Sequence, residues 1–157
     1  EVFTLPVAAV DDNVAVLQGL DGRKMSKSYN NTIPLFLPEK KLRKHINKIK
    51  TNLLEPGEPK DPDDSTVFQV WAAFADAAET ARMRKAFEEG IAWGEAKKQL
   101  FELIDAELAP ARVRYDELME DPGHIESELL KGAERAREHS SALMAKVRDA
   151  VGISRIR

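Results

Sequence analysis

Asn13-Val14-Ala15-Val16-Leu17-Gln18-Gly19-Leu20-Asp21-Gly22-Arg23-Lys24-Met25-Ser26-Lys27-Ser28 joins two kinds of chain. Val14, Ala15, Val16 and Leu17 form a short apolar run rich in β-branched residues. It is entered from Asp11-Asp12-Asn13 and left through Gly19 and Gly22, so it reads as a buried strand. Phe3-Thr4-Leu5, cut off by Pro6, reads as a second strand fragment. Such pieces cannot make a sheet by themselves, and no further strand-like alternation follows, so the pattern places their sheet upstream of residue 1.

The polar half of the same stretch calls for chemistry. Gly19 and Gly22 permit backbone angles closed to other residues, and Asn30-Asn31 again favours a turn. Lys24 and Lys27 supply two point charges three positions apart, while Ser26 and Ser28 supply compact hydroxyl donors. A flexible loop with these groups suits a polyanion, because lysine meets phosphate oxygens as a mobile charge. It is not a Walker P-loop, since no Gly-x-x-x-x-Gly-Lys precedes the serine.

Beyond Pro34 and Pro38 the pattern turns helical. Leu42, Ile46, Ile49 and Leu53 recur at helical spacing, and the other faces carry Lys40, Lys41, Arg43, Lys44, Lys48 and Lys50. A linker over residues 55–63 leads to a helix bearing Val67, Val70, Trp71 and Phe74, capped by Asp64 or Ser65. Asp76 and Glu79 resemble a capping box for the next helix, which Gly90 ends. A longer helix is predicted from Gly94-Glu95 with Leu100, Phe101, Ile104 and Leu108 as its stripe, kinked or broken at Pro110. Asp121-Pro122 then opens a helix with Ile125, Leu129, Ala136, Leu143 and Val147, closed by Gly152.

The chain has 157 residues, enough to bury roughly 68–70% of its unfolded surface. It has no cysteine, which excludes a disulfide framework and a thiolate nucleophile and fits a reducing compartment; cytoplasm is the default. No apolar run reaches membrane-spanning length. The net charge of -3 argues against an indiscriminate nucleic-acid binder. That charge is uneven: residues 1–50 hold an excess of Lys and Arg and residues 51–157 an excess of Asp and Glu, so phosphate chemistry belongs early in the chain. Trp71, Trp93, Phe74, Phe87 and Phe101 read as core rather than base-stacking platforms. His45, His124 and His139 are isolated and read as ordinary helix residues. Glu58, Asp61, Asp63 and Asp64 lack the spacing of a calcium loop.

Lys24-Met25-Ser26-Lys27-Ser28 matches letter for letter the second signature of class I aminoacyl-tRNA synthetases. Its flanks, Gly19-Leu20-Asp21-Gly22-Arg23 before it and Tyr29-Asn30-Asn31-Thr32-Ile33-Pro34-Leu35-Phe36 after it, resemble the bacterial tryptophanyl-tRNA synthetases. So do Lys60-Asp61-Pro62, Ser65-Thr66-Val67-Phe68-Gln69, Gly90-Ile91-Ala92-Trp93-Gly94-Glu95-Ala96-Lys97-Lys98 and Glu107-Leu108-Ala109-Pro110. The resemblance covers nearly the whole chain and implies its C-terminal placement in such an enzyme.

The implied fold is mainly α. A helical bundle like an anticodon-binding domain (37–157) follows the last strand and signature loop of a truncated Rossmann-type α/β catalytic domain (1–36). The implied activity is ATP-dependent formation of tryptophanyl-adenylate and transfer to tRNA(Trp), with Mg²⁺ arriving on ATP as substrate. Lys24 and Lys27 would hold the triphosphate, Ser26 and Ser28 would assist, the Met25 backbone would lie near the adenosine, and Val16 would pack against adenine. The full enzyme would be a homodimer without membrane attachment. The family's first signature, of His-x-Gly-His type, is missing from this sequence, so the fragment alone is expected to be inactive. A tyrosyl-tRNA synthetase fragment and a stand-alone helical nucleic-acid-binding module are the alternatives.

Overall fold

The fold is that of a computed structural model, which describes residues 2–10 and 16–153. Five α-helices follow a 3₁₀ turn: α1 (Glu39–Asn47), α2 (Thr66–Phe74), α3 (Ala77–Glu88), α4 (Trp93–Glu120) and α5 (Pro122–Ala150). Among the described residues the chain is therefore mainly α. No helix among them is long and apolar enough to cross a membrane.

Local chemistry sets most helix ends. The Ser65 hydroxyl, not Asp64, caps α2 by accepting from the Phe68 N–H at 3.3 Å. Asp76 caps α3 through the Glu79 N–H at 2.8 Å, and Asp121 caps α5 through the His124 N–H at 3.0 Å, with Pro122 in the first turn. Gly90 leaves α3 at φ 89°. It also passes so close to Gly57 that a Cβ would lie 2.4 Å from the Gly57 carbonyl carbon, so both conformation and space demand glycine.

Residues 16–115, with Val10, form one compact unit, and residues 2–9 with 116–153 form another. The first holds the core: Leu42, Ile46 and Ile49 from α1 and its exit, Val67, Phe68, Val70 and Trp71 from α2, Met83 and Phe87 from α3, and Ala96, Leu100, Phe101 and Ile104 from α4. Phe87 is fully buried and meets Phe68 and Trp93 edge-on, each at 5.6 Å. Lys60, 2% exposed, is the cation beneath this cluster. Its Nζ donates to the carbonyls of Glu55 and Glu58, both at 2.9 Å, and lies 5.6 Å from the Trp93 ring centre. That ammonium gathers the linker's carbonyls about itself against the Trp93 ring of α4. The second unit comprises α5, the last residues of α4 and the segment before residue 10; none of the described α5 residues is buried.

Four expectations change. Val14 and Ala15 of the expected strand lie outside the described residues. Among the described ones no strand forms: Val16 is 59% exposed, and Gln18 makes only an isolated antiparallel bridge to Lys24. Phe3 and Leu5 are likewise exposed and irregular. A strand needs neighbours for its backbone groups, and the described residues offer none. Leu53 is 96% exposed because α1 stops at Asn47, well before it. Of the kink or break expected at Pro110, the break does not occur and α4 runs through it; one lost backbone bond, roughly 3 kcal/mol, is outweighed by the helix formers on both sides. Leu129 and Leu143, apolar positions of a helix expected to join a bundle, are 69% and 43% exposed.

Phe87→Ala is expected to destabilise the core unit by about 3–5 kcal/mol, read by chemical denaturation followed by circular dichroism. Two glycines separate conformation from helix propensity. Gly90→Ala lowers the unfolding midpoint, whereas Gly132→Ala, inside α5 with open space around it, raises helix stability by about 0.5–1 kcal/mol.

Candidate nucleotide loop

The chain turns back on itself between Leu17 and Met25. Met25 N–H donates to the Leu17 carbonyl at 2.8 Å, Gly19 N–H to Arg23 at 2.7 Å, and Gly22 N–H to Gly19 at 3.0 Å. Gly22 takes φ 81°, so the turn tip needs a residue without Cβ. Met25 is followed by Ser26, whose hydroxyl accepts from the Ser28 N–H at 3.2 Å and caps the 3₁₀ turn Lys27–Tyr29. Asn30 closes that turn at φ 51°, in the left-handed region that asparagine tolerates.

Asn31 holds the two halves together. It is 2% exposed. Its Nδ2 donates to Asp21 Oδ1 at 2.7 Å, to the Lys24 carbonyl at 3.2 Å and to the Arg23 carbonyl at 3.4 Å. Its Oδ1 accepts from the Ser26 N–H at 2.7 Å, and its own carbonyl accepts from the Leu20 N–H at 2.9 Å. Gly19 makes room for it: a Cβ there would stand 2.4 Å from the Asn31 side chain. Asp21 is also paired with Arg23, at 2.6 Å, and the Arg23 guanidinium lies 4.6 Å from the Tyr29 ring centre. The Asn31 carboxamide, followed by bonds from Arg23, holds the Asp21 carboxyl down to about 2.

Lys24, Met25, Ser26, Lys27 and Ser28 thus lie on one short, internally bonded loop. Both lysines are exposed, and neither ammonium has a carboxylate partner among the described residues. Val16 is separate from this network; it borders a shallow depression with Leu17, Phe68 and Ala72. The loop is moored to the helices. Leu20, Ile33 and Leu37 pack on the core, the Lys50 N–H donates to the Leu20 carbonyl at 2.8 Å, and the Thr66 hydroxyl donates to the Gln18 side chain at 2.5 Å. Asp21, Gly22 and Gln18 face Lys50, Ser65 and Trp93 across a cleft of about 330 Å³.

Similarity to known proteins runs through loop and helices alike. No family model matches the chain. Over 153 residues it is 56% identical to the tryptophan–tRNA ligase of Neisseria meningitidis serogroup A, an alignment that takes in 98% of this chain and 46% of that protein. Against the tryptophan–tRNA ligase of Pseudomonas aeruginosa it is 52% identical over 157 residues, covering 100% of this chain and 35% of that one. The crystal structure of tryptophanyl-tRNA synthetase from Campylobacter jejuni complexed with ADP and tryptophan superposes with a TM-score of 0.78 at 40% identity, over 96% of this chain and 48% of the other. The chain is a homologue of part of tryptophan–tRNA ligase.

It spans between about a third and a half of the length of these relatives. The lysines and serines are legible from the sequence, whereas Asn31 reads there as a turn residue only. Its depth depends on side-chain hydrogen-bond partners up to 10 residues away along the chain, and no periodicity announces a buried polar side chain. The signal that existed was Gly19, a glycine outside the turn tip. Elsewhere in the chain, a second cleft of about 460 Å³ is lined by Arg43, Asn47, Lys97, Lys98 and Phe101. Arg43 lies 4.2 Å from the Phe101 ring centre, and Lys97 Nζ donates to the Asn47 carbonyl at 3.1 Å; burial lowers the Lys97 pKa. Of the linker acids, Asp63 pairs with Arg84 at 2.7 Å, and among the described residues no three His, Asp or Glu side chains converge.

The Asp21 shift gives a pH dependence. A carboxylate depressed in the folded state adds stability that is present above its ordinary value of 3.8 and is lost as pH falls through about 2. Followed by carboxyl-carbon NMR, Asp21 is expected to titrate near the lower value, and Asn31→Ala to move its midpoint up toward 3.8.

Proposed function

We propose that this chain supplies the ATP-phosphate loop and the helical tRNA-binding domain of a tryptophan–tRNA ligase. Residues 1–36 belong to a Rossmann-type catalytic domain and residues 37–157 to the helical domain. In the reaction the tryptophan carboxylate attacks the α-phosphate of ATP, which brings Mg²⁺ as part of the substrate. Pyrophosphate leaves, and the aminoacyl group passes from the adenylate to tRNA(Trp).

The observation that carries this reading is the pair of exposed lysines, Lys24 and Lys27, without carboxylate partners among the described residues, on a loop whose backbone is held by internal hydrogen bonds. Free ammoniums on an ordered backbone can meet charge as it develops on the departing pyrophosphate, with little rearrangement of the loop itself. Ser26 and Ser28 assist at the phosphates, the Met25 backbone lies near the adenosine, and Val16 packs against adenine. Interactions that strengthen only as the bond breaks raise kcat more than they tighten ATP. The cationic face of α1, continued by Arg43, Lys97 and Lys98 at the second cleft, suits the phosphate backbone of tRNA, positioning it without reading its sequence. A homodimer working in the cytoplasm completes the proposal.

The test is tryptophan-dependent exchange of pyrophosphate into ATP by a full-length ligase carrying this segment. Lys27→Ala is expected to lower the exchange rate roughly 10²–10³-fold, with tryptophan binding kept. Exchange at an undiminished rate with both lysines replaced, or exchange supported by tyrosine instead of tryptophan, rejects the assignment.

A further inference from the structure

We infer that Asn31 is a positioning residue for the lysine loop: its carboxamide fixes the backbone on both sides of Met25 and thereby where Lys24 and Lys27 reach. The inference rests on the phosphate-loop role proposed for those lysines and adds to it a residue outside the lysine–serine signature.

Three observations carry it. The first is connectivity. The Asn31 side chain bonds the Lys24 carbonyl and the Ser26 N–H, the peptide groups flanking Met25, and Ser26 in turn caps the turn that contains Lys27. No other side chain among the described residues bonds the backbone at both of these points. The second is saturation. The carboxamide is 2% exposed, and both its oxygen and its nitrogen are engaged, so no water can replace it without opening the loop. The third is accommodation. Gly19 leaves a gap that the Asn31 side chain fills, and the Asp21 carboxylate, itself oriented by Arg23, stands 2.7 Å from Nδ2. The carboxamide polarity matters as much as its shape: one end must donate and the other accept.

That polarity makes a decisive experiment. Asn31→Asp keeps the shape and the acceptor for Ser26, but it removes the donor and sets a carboxylate against Asp21. Adding Asp21→Asn returns a donor–acceptor pair between residues 21 and 31 with its direction reversed, while the donor to the Lys24 carbonyl stays absent, so rescue is partial. In the full-length ligase, active-site titrated at pH 8, Asn31→Asp is expected to lower kcat for pyrophosphate exchange by up to roughly 10²-fold with tryptophan affinity unchanged. The Asp21→Asn/Asn31→Asp double variant is expected to regain about tenfold of that loss. Made on a Lys24→Ala/Lys27→Ala background, Asn31→Asp adds little, because the groups it positions are already gone.

Wild-type rates in Asn31→Asp, or a full additional loss on the lysine-free background, overturn the inference. Hydrogen exchange at the Ser26 amide tests the positioning role independently of the ligase reading. Faster exchange there in Asn31→Ser, with α1, α2 and α3 still protected, supports the positioning role even if the parent enzyme makes no adenylate. Unchanged protection at Ser26 rules it out.

Discussion

A buried carboxamide is tolerated only when its hydrogen-bonding capacity is met. Leaving one unpaired in a protein interior costs roughly 1–3 kcal/mol. Asn31 meets that condition with Asp21, two backbone carbonyls and one backbone amide. The rest of the loop follows from this. Gly19 must lack a side chain, Gly22 must turn with positive φ, and Ser26 must present its N–H inward, which leaves its hydroxyl to cap the next turn. The lysines need no structural partner because the backbone is already held by other groups. Binding machinery and scaffold are therefore divided between neighbouring residues of the same loop.

The loop is not an independent appendage. Leu20 and Ile33 embed in the helical core, and hydrogen bonds tie Leu20 to Lys50 and Gln18 to Thr66. Each mooring lies at the exit of α1 or the start of α2, where backbone groups are not consumed by the helix ladder. A displacement of those helix ends would act on the loop through short, stiff connections. The elements that would carry tRNA and the groups proposed to meet ATP thus share one framework within this unit.

Much of the helical architecture was legible because it is written locally. Asp76, Asp121, Gly90 and Gly152 act within one turn of their own position, and the Leu100, Phe101 and Ile104 stripe needs only a helix and a core to face. The readings that failed required distant information. Leu53 kept the apolar rhythm of α1 but lay beyond its last turn, and α5 carries apolar residues at helical spacing that no described residue buries. Periodicity names a face and not its cover. A strand, similarly, is a property of a pair, and Val16 and Leu17 have no partner strand among the described residues. Within the candidate site the charged residues could be read from spacing, whereas Asn31 could not. Its role arises from chain reversal, which brings residues 21, 24 and 26 around it.

Trp93 stands where several of these features meet. Its ring caps the Lys60 ammonium, its Nε1 donates to Asn52 at 3.1 Å, and it borders the cleft beside Asp21 and Gly22. Trp71, by contrast, is 3% exposed and sealed in the core. The segment therefore contains its own optical gauge: indole emission from Trp93 responds to changes in the polarity and width of that cleft, against a steady background from Trp71.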